Sequence, residues 1–185
     1  MMNSLKGQLL VAKPTLLAPF FTRAVILMLE HTEDGALGVV LNRTTEATVA
    51  DIADQILTEP LDWDQPISLG GPVPGPLMVI HTVEPLGDQE VIPGVFSTAE
   101  ADAVRELLLQ RVEPCLVVAN YAGWGPGQLE GEIEEDSWFS LPATARHVFW
   151  DEESDLWESV LEQGPTSDLI RMLGLRRVPP QADWN

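Results

Sequence analysis

Cysteine, histidine, tyrosine and basic charge are all scarce in this sequence, and each scarcity closes off a class of function. A single cysteine, Cys115, leaves no partner for an internal disulfide and fits a reducing compartment. Lysine and arginine number 10 against 29 acidic residues, a net charge of −19, so the clustered cations that grip a phosphate backbone are missing. Arg176-Arg177 is the densest basic spot. The longest apolar runs, such as Ala24 to Leu29, fall far below the roughly 20 residues that cross a bilayer. Leu9 to Ala12, closed by Lys13-Pro14, is too short for a secretory core. The expectation is a soluble, cytoplasmic protein with no membrane partner and no direct nucleic-acid partner. Catalytic signatures are missing too: there is no Gly-x-Ser-x-Gly elbow, Ser-x-x-Lys pair, Walker phosphate loop or EF-hand.

What is present is a chain of 185 residues, 45% apolar, long enough for one good core. No repeat, low-complexity tract or linker interrupts it, so a single α+β domain over residues 1–185 is expected, with an irregular tail from Val178 to Asn185. Gly7 to Ala12 and Ala24 to Leu29 read as strands on either side of a crossing bracketed by Pro14 and Pro19. Turn chemistry from Glu30 to Gly35 returns the chain as a third strand, Leu37 to Leu41, in a hairpin with a moderately long loop. Thr48 and Asp51 resemble a capping box opening a helix from Val49 to about Leu57. Short strands follow at Ile67 to Leu69 and Leu77 to His81, then a polar loop. Ser97 to Glu100 reads as a second capping box, ahead of the stripe Ala103, Val104, Leu107 and Leu108.

Cys115 to Ala119 is a strand suited to burial on both faces. It feeds a segment, Asn120 to Glu130, that concentrates Gly123, Gly125, Gly127, Pro126, Trp124 and the only tyrosine, Tyr121. Such a composition predicts a rigid, shaped loop rather than a linker. Beyond it come a short helix from Gln128 to Glu135 with Leu129 and Ile133 inward, an extended piece at Trp138-Phe139, a helix capped by Ser154 and stopped at Gly164-Pro165, and a final helix ending near Gly174.

Four blocks in order resemble the bacterial YqgE/AlgH proteins: Gly7 to Pro14; Glu30-His31 with Gly35 to Arg43; Gly70-Gly71-Pro72-Val73 with His81; and Tyr121 to Glu130. The resemblance spans nearly the whole chain, departing where Ala18 replaces a usual aspartate and Thr44 a usual proline. It implies an α+β fold in which a bent, branching antiparallel sheet closes into a pseudo-barrel with helices packed outside. The family is largely uncharacterised, and one branch carries a transcriptional-regulator label linked to alginate synthesis.

His31 and His81 are the candidates for acid-base or metal work, but they lie fifty residues apart, without the short spacing of a metal site. Cys115 sits in an apolar strand, where burial makes a thiol inert. Between Glu130 and Glu162 eleven acidic residues meet one basic residue, Arg146, which reads as a solvated acidic face. No catalytic set, metal or cofactor is assigned. Strand ends and loops supply the candidate surface: His31, Asn42, Arg43, Gly71, Pro72, His81, Tyr121, Gly123, Trp124, Gly125, Gly127, Gln128 and Glu130. If these converge, Trp124 and Gln128 form one wall of a pocket, with Asn42-Arg43, Gly71-Pro72 and His81 as the others and Arg43 as an anion reader. The leading expectation is a non-enzymatic regulatory or binding protein using a protein partner or small ligand. The first alternative is a hydrolase-like enzyme pairing His31 or His81 with Glu30 or Glu130, and the second a transcriptional regulator, disfavoured as a direct DNA binder by the acidic charge.

Overall fold

The computed structural model describes residues 4–57, 60–151 and 154–164. The first apolar runs become β1 (Gln8–Ala12), β2 (Val25–Thr32) and β3 (Gly35–Val40). Polar β4 (Thr44–Thr48) leads into α1 (Val49–Ile56), where the Asp51 carboxylate accepts from the Thr48 N–H at 2.8 Å and its hydroxyl at 2.9 Å. Then follow β5 (Pro66–Leu69), β6 (Met78–His81), a 3-10 turn at Glu84–Leu86, β7 (Gln89–Ile92), β8 (Val95–Thr98) and α2 (Ala101–Leu109). The chain continues through β9 (Leu116–Ala119), β10 (Ala122–Trp124), α3 (Gln128–Glu134), β11 (Trp138–Pro142), α4 (Ala145–Val148) and α5 (Leu156–Leu161).

Two sheets result, and the α+β expectation holds in this form: five α-helices among the described residues pack on an antiparallel sheet and a mixed one. The first has the order β10-β3-β2-β1-β11, the second β4-β5-β9-β6-β8-β7, and only β5 with β9 runs parallel. Alternation along the strands sends side chains to opposite faces. Leu9, Val11, Leu27 and Val39 of the first sheet therefore share a core with Ile80 and Val118 of the second and with Trp157 of α5. The opposite face of the first sheet, through Leu10, Ile26, Met28 and Val40, packs on Trp124, Leu129 and Trp138. The outer face of the second, through Ile67, Val79 and Val117, is covered by Val49 of α1 and Val104, Leu107 and Leu108 of α2. Both faces of the central strands are buried, which explains their unbroken apolar sequences.

Several boundaries differ from the sequence reading. The β2–β3 hairpin is tighter than expected, since Thr32 pairs with Gly35 across only Glu33-Asp34, and a register shift between Met28 and Glu30 absorbs the extra residue. Ser97 and Thr98 are not a helix cap: they lie buried in β8, and Glu100 caps α2 by accepting from the Ala103 N–H. Asp155, not Ser154, caps α5. The expected helix ending near Gly174 and the tail from Val178 lie outside the described residues. Among the described residues no helix is long and apolar enough to cross a membrane.

Candidate functional site

The Asn120 to Glu130 segment is strand as much as loop. Asn120 takes a left-handed conformation (φ 62°), and Tyr121 exchanges two backbone hydrogen bonds with Val73, both 3.0 Å. β10 then pairs with β3, placing Trp124 opposite Ala36. Close approach explains the glycines here: a Cβ on Gly71 would collide with the Tyr121 carbonyl and the Ala122 nitrogen, and one on Gly35 with the Trp124 carbonyl oxygen. The Tyr121 ring lies against Gly75 and Gly123. Pro72 beside it is exposed.

Trp124 is buried rather than presented to solvent. Its ring stacks on Phe21 at 6.3 Å and meets Trp138 edge-on at 6.3 Å. The indole N–H groups of both tryptophans donate to one oxygen of Glu132, at 3.0 Å and 2.8 Å. Gln128 completes the arrangement, accepting from the Gly125 N–H at 3.1 Å and donating to the other Glu132 oxygen at 3.0 Å. Gly127 supplies the left-handed turn (φ 70°) from which α3 starts. The sequence reading missed Glu132, although its i+4 spacing from Gln128 on a short helix was visible.

His31 sits on β2 facing α3. Its Nε2 lies 2.9 Å from Glu130 Oε1, and its Nδ1 accepts the Leu5 N–H at 3.0 Å, which fixes the ring as the Nε2–H tautomer donating to the carboxylate. The Glu130 carboxyl is held below the ordinary carboxylate range, first by its own backbone N–H and then, against burial, by His31. A histidine base needs one free nitrogen for substrate, and here both are occupied. Beside this pair opens a shallow cleft of about 220 Å³, lined by Glu30, Thr32, Asp34, Gly35, Ala36, Leu37 and Trp124.

Asn42 and Arg43 meet a different part of the candidate set. The Leu69 N–H donates to the Arg43 carbonyl at 2.9 Å and the Val40 N–H to Gly70 at 2.9 Å, so the chain at 40–43 runs beside Gly70-Gly71 and thence Tyr121. The Asn42 side chain accepts from the Val25 N–H at 3.0 Å and donates to the Arg23 carbonyl at 2.7 Å. Arg43 Nη2 donates to the Thr22 carbonyl at 2.5 Å. Arg23, which the sequence reading passed over, donates through Nη2 to Asp155 at 2.8 Å and Glu158 at 3.0 Å. Its only sequence signal was a lone cation ahead of a wholly apolar strand.

His81 joins neither group. It is fully buried on β6, its Nδ1 accepts from the Val83 N–H at 3.1 Å, and its ring lies 6.2 Å from that of Phe96. Burial pulls its pKa down, and Asp88 offsets only part of that. Cys115 is buried, with its thiol pushed up to about 12 by burial and then by Glu113. Among the described residues no three His, Cys, Asp or Glu side chains are placed to hold a metal. The structure thus gathers Asn42, Arg43, Gly71, Pro72 and Tyr121 at one end of β10, and His31, Trp124, Gly125, Gln128 and Glu130 at the other. Gly123 lies between, on the strand itself.

Comparison with known proteins matches residues 9–167 to the AlgH-like family model, DUF179. A UPF0301 protein of Streptomyces avermitilis is 39% identical over 171 residues, covering 87% of each chain. One from Myxococcus xanthus is 40% identical over 167 residues, covering 86% of this chain and 91% of its own. The solution structure of the AlgH protein from Pseudomonas aeruginosa superposes with a TM-score of 0.73 at 26% identity, covering 97% of this chain and 98% of that one. A crystal structure from Corynebacterium diphtheriae gives 0.71 at 27% identity over 89% of each.

Proposed function

The chain belongs to the AlgH-like family, and from that premise we propose that it is a non-enzymatic regulatory or binding protein that engages a protein partner through the rim of the Trp124 cleft. One observation carries this reading: both ring nitrogens of His31 are committed, Nε2 to Glu130 and Nδ1 to the Leu5 amide, so its most promising acid-base pair braces the fold instead of facing substrate. Glu30, Glu33 and Asp34 stand exposed at that rim, next to exposed Gly125, Pro126 and Gln128. Such a surface suits a partner segment bearing lysine or arginine.

The hydrolase-like alternative rests on the same 2.9 Å contact of His31 with Glu130 and requires the Leu5 amide to leave. Direct DNA binding is opposed by the net charge of −19, and a gel shift at low salt is its most permissive test. A single cytoplasmic domain belongs to the proposal. So does closure of the sheets into a pseudo-barrel, for which the Val40 to Gly70 hydrogen bond provides a seam.

The test is affinity capture with wild type and a folded Glu30→Lys, Asp34→Lys double variant. Loss of a specific partner in the variant supports the rim. Identical partner lists would remove it from consideration.

A further inference from the structure

Ser4 to Lys6 form a short strap laid across His31 before the chain enters β1. The Ser4 hydroxyl donates to the His31 carbonyl at 3.0 Å, and the Leu5 N–H donates to His31 Nδ1 at 3.0 Å. Leu5 is half-buried against the cluster that holds Leu10, Met28, Ala36 and Trp124, while Ser4 and Lys6 are exposed. Gly7 marks where firmer anchorage starts: it turns through a left-handed conformation (φ 75°), its N–H donates to the Met28 carbonyl at 2.9 Å, and the ladder of β1 with β2 follows. Two hydrogen bonds and one apolar side chain therefore hold the strap to the body of the fold, and one of those bonds ends on a titratable ring.

His31 has no spare acceptor. Because Nδ1 accepts from Leu5, Nε2 carries the proton and donates to Glu130 at 2.9 Å. A second proton has only Nδ1 to go to, and there it meets the Leu5 N–H, so an attractive contact becomes two donors facing each other 3.0 Å apart. Turning the ring over gives no escape, since an imidazolium donates from both nitrogens. The Glu130 carboxylate on α3 favours the charged ring. Glu30 stands next to His31 on β2, and Lys6 lies on the strap itself. Glu132 on α3 is engaged by the two indoles, and β1, β3 and β10 carry no ionisable side chain.

We propose that the contact between His31 and Leu5 is a proton-operated latch: protonation of His31 at Nδ1 expels the Leu5 amide and frees the strap from Ser4 to Lys6, while Glu130 keeps the ring in place. Freeing Leu5 uncovers apolar surface shared with Ala36 and Trp124, two residues that also line the cleft. Acid thereby exposes apolar surface beside the rim formed by Glu30 and Asp34, and neutral pH covers it. The latch operates without a partner, so its failure leaves the partner-binding reading standing, and loss of that reading leaves the latch.

The experiment is a pH titration of the isotope-labelled full chain from about pH 8 to about pH 5, following the His31 ring and the backbone amides by NMR. The order parameters of the Leu5 and Lys6 amides should fall from about 0.85 to below about 0.6 with the midpoint of His31 protonation, while Leu9 and Leu10 of β1 stay rigid. Rigid Leu5 and Lys6 amides beside a protonated His31, or a His31 that stays neutral throughout, overturn the latch. So does loosening that arrives only together with β1, since that is unfolding of the sheet. His31→Gln should abolish the transition, and a Leu5 transition that persists in it overturns the latch as well. If His31→Gln does not fold, Glu130→Gln decides: loss of the carboxylate that favours the charged ring should move the midpoint about one pH unit lower, and an unmoved midpoint overturns the link to His31.

Discussion

Gly71 and Tyr121 pass each other with no room for a side chain at position 71, where an added Cβ would strike the backbone of Tyr121 and Ala122 and not a movable side-chain tip. Gly131, within α3, faces open space instead.

Alanine at these two glycines should therefore have opposite effects. Gly71→Ala should destabilise the fold by about 3 kcal/mol, the upper end of overpacking costs. Gly131→Ala should stabilise it by roughly 0.5–1 kcal/mol, through reduced freedom of the unfolded chain and better helix propensity. Denaturant unfolding of the two variants checks the pair, and a stable Gly71→Ala protein would show that the crossing beside Tyr121 yields more easily than its geometry implies.

Glu132 gathers the indole N–H groups of Trp124 and Trp138, which are nearly sealed from water. Glu132→Ala leaves both donors unpaired and should cost about 2 kcal/mol, with a change in tryptophan emission. Glu132→Gln keeps an acceptor oxygen and should recover much of the loss. Equal stability of all three proteins would mean that the apolar contacts of the two rings alone hold the segment.

Acid should weaken the fold through two histidines. Burial lowers the pKa of His81, and burial followed by Arg146 lowers that of His147, from an unfolded value near 6.5. A depressed folded pKa means that the unfolded chain binds more protons, so this stability is present above 6.5 and is lost as pH falls below it. Thermal melts from about pH 8 to about pH 5 should show it. His147 Nδ1 accepts from the Thr144 N–H at 3.2 Å to close a capping box, and His147→Gln keeps that geometry without titrating. It should remove part of the acid sensitivity; an unchanged profile would assign the whole effect to His81 and the carboxylates.

Cys115 should resist alkylation in the native protein. With its thiol near 12, only ~10⁻⁴ of it is thiolate at pH 8, although the residue borders a cavity of about 490 Å³ with Phe149 and Trp150. Mass spectrometry after iodoacetamide treatment, with and without denaturant, reads the difference. Rapid native labelling would point to opening of the start of β9 at Leu116.

Local signals carried much of the fold. The continuous apolar runs of β1, β2 and β9 and the Thr48 and Asp51 pair marked their elements because the cause lies within a few residues of the effect. β7 and β8 did not announce themselves: Gln89, Glu90, Pro93, Gly94, Ser97 and Thr98 look like a loop, and only the pairing of β8 with β6 and of β7 with β8 makes them strand. β10 was hidden for the same reason, its three residues becoming a strand through pairing with β3, some eighty-five residues earlier. At the candidate site, Asn42, Arg43 and Gly71 stood out by motif. Their spatial partners, Arg23 and Tyr121, are distant in sequence, and composition holds no trace of who meets whom.

The first sheet has a consequence for how the chain emerges from a ribosome. Its inner meander, β1 to β3, is complete by residue 40, yet the strands that flank it on both sides, β10 and β11, lie at 122–142. For about a hundred residues of synthesis, two apolar edges would offer unpaired amides and carbonyls to any neighbouring nascent chain. Slow elongation before residue 142, or truncation short of it, should therefore favour aggregation over an inactive but soluble fragment.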